Sequence, residues 1–169
     1  CDLQNIVLGW YNGPQLTPFA ADSVKLVEKA PVVEPEPGEV QPVEILFADK
    51  ANRTEYTTSK QVWTMNGITV TNDKGASTND VGNFNNPARF YQGSNVTIAA
   101  DKAISQIVFN CNDYKNTYPT DLQSSISSGS VSVNGTVVTV TLSSATTSYA
   151  ITKLAGQVRM DSITVYYAE

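Results

Sequence analysis

The sequence predicts an all-β protein, a two-sheet antiparallel β-sandwich that is jelly-roll-like and carries one short helix. Three observations lead there. The chain of 169 residues is 41% hydrophobic and only 16% charged, and 8 of its residues are Tyr. With Thr, Ser, Asn and Val abundant, that is the composition of strands whose outer faces bear hydroxyls rather than ions. From residue 43 onward about eight or nine short apolar runs recur between turn residues, the spacing of a sandwich. Two Asn-Gly pairs, Asn66-Gly67 and Asn134-Gly135, stand between alternating runs, the strongest short-range signature of a hairpin.

Taken in order, residues 1–29 read as a short β appendage. Runs at 6–8 and 24–27 flank a turn at 10–14, which is too little to bury a core unaided. Residues 30–42 hold four prolines and three glutamates. Proline fixes φ and the like charges repel, so this is an extended linker of about 40 Å with neither helix nor central strand. Residues 43–169 form the sandwich. Val43, Ile45 and Phe47 alternate; Trp63 and Met65 lead through Asn66-Gly67 into Ile68 and Val70; Val96 and Ile98 follow, then Ile104 and 107–109. The single helix falls within 118–126, with Pro119 suited to its first turn and Leu122 and Ile126 four apart. A second hairpin spans 131–140, and runs at 149–151 and 157–167 complete the strands. In the last run Val158 and Met160 share one parity while Ile163, Val165 and Tyr167 share the other; a β-bulge near Asp161-Ser162 would absorb the slip, and without one Arg159 and Asp161 would point into the core and have to be paired.

Several functions are excluded by composition. The net charge is -5 and the 11 Lys and Arg are scattered, which leaves no basic stripe for nucleic acid or an anionic membrane surface. No apolar run approaches the roughly 18 residues of a membrane span, so no transmembrane segment is expected. Histidine is absent, which removes Ser-His-Asp and Cys-His catalysis, and 2 cysteines cannot build a zinc site. The remaining acids fall mostly in turns rather than as a facing pair of the kind glycoside hydrolysis requires. The expectation is a protein that is not an enzyme. Cys111 lies in an apolar run and reads as a buried thiol. Cys1 has two readings, an acylated lipoprotein N-terminus acting as lipid anchor, or an ordinary residue at the start of an excised fragment.

Three groups of residues could carry a function. The long polar loop over 71–87 runs directly into Arg89-Phe90-Tyr91. Amide, carboxylate and guanidinium groups around an aromatic face suit sugar hydroxyls and ring C–H faces, so Asn72, Asp73, Asn85, Arg89 and Tyr91 form a candidate glycan site. In the plainer reading these Asn and Gly supply turns, Arg89 pairs an acid and Tyr91 covers the core edge. In the final run Arg159 and Asp161 form a candidate structural ion pair. Asp161 with Asp49 is a candidate calcium site, the one cofactor considered.

The stretches 63–74, 87–94, 107–111 and 156–163 resemble the C-terminal β-sandwich modules of surface lipoproteins and secreted multidomain proteins of gut bacteria. Residues 11–16, Tyr-Asn-Gly-Pro-Gln-Leu, resemble the closing strands of an OB-type barrel. The resemblance implies an extracytoplasmic protein, at the cell surface or secreted. Its function would be that of a non-catalytic accessory module meeting a glycan or a neighbouring protein domain. The alternative is a purely structural or domain-docking module of a larger protein.

Overall fold

The computed structural model describes residues 9–11, 16–18 and 41–169. The chain divides into two compact units, Cys1–Glu36 and Pro37–Glu169, each described by itself. In the first, β1 (Gly9–Tyr11) pairs antiparallel with β2 (Leu16–Pro18), with Trp10 opposite Thr17. Trp10 and Tyr11 are thus strand residues where the sequence suggests the start of a turn; aromatic β-propensity extends the strand up to Asn-Gly-Pro. The runs expected at 6–8 and 24–27, the linker except for its last two residues, and Cys1 lie outside the described residues.

The second unit contains β3 (Val43–Leu46), β4 (Arg53–Tyr56), β5 (Lys60–Met65), β6 (Ile68–Asp73), β7 (Ala88–Phe90), β8 (Asn95–Cys111), α1 (Tyr118–Gln123), β9 (Ser130–Asn134), β10 (Val137–Ile151) and β11 (Val158–Tyr167). The pairing makes one nine-stranded antiparallel sheet rather than two separately bonded ones. Two long strands are the cause. Along one edge β8 pairs with β10; along the other it pairs first with β6, over Asn95 to Ala100, and then with β11, over Ile104 to Cys111. At the changeover the β8–β10 register breaks between Thr141 and Thr146 and again between Thr146 and Ser148. Asp101 and Lys102 are exposed there, and the buried parity of β8 changes from Ile104 to Ile107. Such irregularities bend strands, so the sheet curls where two sheets were expected.

The curl brings distant strands together. Phe47, just beyond β3, lies 4.6 Å from the Trp63 ring of β5 and 5.7 Å from the Phe90 ring of β7, and all three are fully buried. Around them Ile45, Ile68, Val70, Ile98, Ile107, Phe109, Val158 and Val165 complete the core. α1 starts with a proline in its first turn, as the sequence predicts, and buries Tyr118, Pro119 and Leu122.

Both hairpins form, with different turns. Asn66 and Gly67 have φ of 48° and 78°, placing both central residues in the left-handed region that a type I′ turn needs, and Met65 faces Ile68. In the second, Asn134 itself pairs with Val137, so Gly135 and Thr136 form the turn and only Gly135, at φ 58°, is left-handed. The hairpin predicted at Asn134-Gly135 therefore sits one residue later. Of the two alternatives for β11 the structure has the bulge: Met160 pairs with Cys111 and Ser162 with Asn110, leaving Asp161 as the extra residue.

Candidate functional site

The outer face of β7 and β11 gathers the most distinctive surface among the described residues. Ala88, Phe90, Val158 and Met160 point into the core, so alternation turns Arg89 and Arg159 outward. They are direct cross-strand partners. The Arg89 guanidinium lies 3.6 Å from the centre of the Phe84 ring, and that of Arg159 lies 4.3 Å from Tyr114 and 6.0 Å from Tyr118. Phe84 is 39% exposed and Tyr114 66%. Stacking on a ring offsets charge by the ring quadrupole and leaves the terminal Nη N–H groups available.

The position of Phe84 is fixed from below. Gln61 and Asn72 face each other across β5 and β6, both fully buried. Gln61 Nε2 donates to the Phe84 carbonyl at 3.2 Å, and Asn72 Nδ2 donates to the Arg89 carbonyl at 3.0 Å. Two core amides thus hold the backbone at both the ring and the guanidinium. The preceding loop is tied down by Val81 N–H to the Thr58 carbonyl at 2.7 Å, Arg53 Nη1 to Asn83 Oδ1 at 2.6 Å, and a Lys74–Asp80 ion pair at 2.6 Å. At Gly82 a Cβ would stand 2.5 Å from the Phe84 ring and 3.2 Å from the Tyr91 hydroxyl. A side chain there would displace the ring, so glycine at this position lets Phe84 lie against the loop backbone.

Of the five residues expected to bind glycan, Arg89 and Tyr91 are on this face. Asn72 is not a surface residue; its amide is spent on the Arg89 backbone. Asp73 accepts the Gly75 N–H at 2.8 Å, and Asn85 Nδ2 donates to the Ala48 carbonyl at 3.3 Å, so both serve loop geometry. Phe84, Tyr114 and Arg159 were not among the five. Their signal lay in the outward parity of Arg89 and Arg159 and in a phenylalanine two residues past a glycine.

The Arg159–Asp161 ion pair does not form. The bulge separates the two side chains: Arg159 stacks on Tyr114, and Asp161, exposed, accepts Asn112 Nδ2 at 3.0 and 3.2 Å. Asp161→Asn should therefore change the unfolding free energy by about 1 kcal/mol or less in a urea titration, the scale of one exposed hydrogen bond. The calcium pairing of Asp49 with Asp161 likewise finds no support in the geometry. The Asp49 carboxylate caps the turn at Lys50–Asn52 by accepting Ala51 N–H at 2.9 Å. Among the described residues no group of three or more Cys, Asp or Glu is placed to hold a metal ion.

Away from this face, a concavity of about 290 Å³ lies where the β6–β7 loop meets the turns before β8 and after β10. Ala76, Thr78, Gln92, Gly93, Lys153 and Leu154 line it. It is shallow and brings a single charged side chain, Lys153.

Compared with protein-family models, with curated proteins and with solved structures, the chain matches none.

Proposed function

We propose that this chain is a non-catalytic, jelly-roll-like accessory module of a secreted or surface-attached bacterial protein, and that it binds carbohydrate through the face formed by Phe84, Arg89, Tyr91, Arg159 and Tyr114. The observation that carries the reading is the pair of exposed rings, Phe84 and Tyr114, each stacked with an arginine on one sheet face. Rings offer apolar surface to sugar C–H groups, and guanidinium N–H groups in fixed orientation donate to hydroxyls. Because core amides hold the backbone at Phe84 and Arg89, little ordering cost remains to be met on binding.

The test is affinity electrophoresis of the full chain through gels containing neutral or acidic polysaccharides. Retardation by at least one polymer is expected, and Phe84→Ala should abolish it while leaving the circular dichroism spectrum unchanged. No retardation in any gel overturns the reading in favour of a structural or domain-docking module.

A further inference from the structure

Arg89 and Arg159 face each other directly across two strands, an arrangement that like charges disfavour unless something offsets it. Among the described residues the ion pairs are Lys60–Glu55 and Lys74–Asp80, and neither arginine takes part in one. The Nε atoms of both are buried with no hydrogen-bond partner, so it is the terminal Nη groups that a ligand would meet. The nearest carboxylate in sequence, Asp161, is turned by the bulge toward Asn112, which contacts both of its oxygens. Two planar cations held by rings, on residues paired across the strands and with no counter-ion among the described residues, form a receptor for an anionic oxygen pair, because a guanidinium fork matches carboxylate and sulfate oxygens bidentately. The chain as a whole carries -5, so attraction of a polyanion here cannot come from net charge and has to be local.

Resting on the carbohydrate reading above, we infer that the ligand is an acidic glycan whose carboxylate or sulfate group is clamped between Arg89 and Arg159 while its sugar ring lies on Phe84 or Tyr114. The anionic group supplies the charge that the paired arginines lack among the described residues, and the rings limit which polyanions fit.

Binding of the full chain to a polyuronate, to dextran sulfate, to neutral dextran and to polyglutamate, by calorimetry at physiological salt, tests this. The polyuronate or dextran sulfate should bind, and the stronger of the two identifies the carboxylate or the sulfate as the recognised group. Arg89→Gln and Arg159→Gln should each weaken that binding at least tenfold, and Arg89→Lys should not restore it, since an ammonium lacks the fork. Acidic-glycan binding that survives both glutamine variants overturns the clamp. Binding of neutral dextran alone overturns the anionic assignment while leaving the carbohydrate reading intact. Polyglutamate binding as strongly as the glycans, and lost with either arginine, keeps the anion clamp and overturns the carbohydrate reading. Binding of none of the four overturns the clamp.

Discussion

Phe47→Ala is expected to lower the unfolding free energy by about 3–5 kcal/mol, the cost of removing a fully buried aromatic side chain and leaving a cavity. Its ring contacts Trp63 at 4.6 Å and Phe90 at 5.7 Å. It also lies where β3, at one end of the strand path, meets β5, near the other. The loss therefore falls on the closure of the sheet and not on one strand pair. Denaturant titration followed by tryptophan emission reads it directly, in a Trp10→Phe background so that Trp63 is the only reporter. The native emission should also shift to the red as water reaches the indole. A midpoint unchanged from wild type would mean that the aromatic trio does not close the sheet.

The Cys111 thiol should be close to inert in the folded protein. Burial, and secondarily the negative charge of Asp161, push its pKa up to about 12. The thiolate is the reactive form, so in a Cys1→Ser background, where Cys111 is the one remaining thiol, the folded protein at pH 8 should react with a disulfide reagent roughly a thousandfold more slowly than the unfolded chain. A linked consequence appears in stability. The folded pKa is raised, so the contribution of the protonated thiol is complete below the unfolded value near about 8.5 and is lost as pH rises toward the folded one. The stability of wild type relative to Cys111→Ala should accordingly shrink between about pH 8.5 and 10.5. Rapid labelling of the native Cys1→Ser protein, or a stability difference flat across that range, would contradict the buried, protonated state.

Local signals in the sequence were faithful where the physics is local. Asn66-Gly67 specifies its turn because both residues tolerate positive φ, and Pro119 opens α1 because the first helical turn has no use for its missing N–H. The bulge at Asp161 was legible because parity along one strand suffices to show a slip. The signals failed where the answer depends on which strand lies alongside. Nothing within 95–111 states that its first half pairs with β6 and its second with β11, which is why one curled sheet was read as two. Arg159 was assigned to Asp161 because they are two apart in sequence. Tyr114 and Tyr118, brought beside it by the turn before α1, offered a surface no linear spacing displays. Phe84 lies in a loop, and what holds it is Gln61 on β5 and the bare backbone at Gly82, a combination its own stretch of sequence does not display.

β11 touches β3, β7 and β8 at once, and Ser162 reaches Glu44 at 2.7 Å across 118 positions of chain. A ribosome delivers β11 last of the described strands. Until it arrives, β3 and β7 have no partner among the described strands, and the second half of β8 keeps one open edge. Contacts so distant in sequence also form slowly once the strands are all present, on the scale of milliseconds to seconds. A nascent or prematurely terminated chain is therefore adhesive where the finished one is not, because open edges recruit foreign strands. The ten residues of β11 act as the clasp of the unit, and the interval before they engage is when the polypeptide has most need of a chaperone.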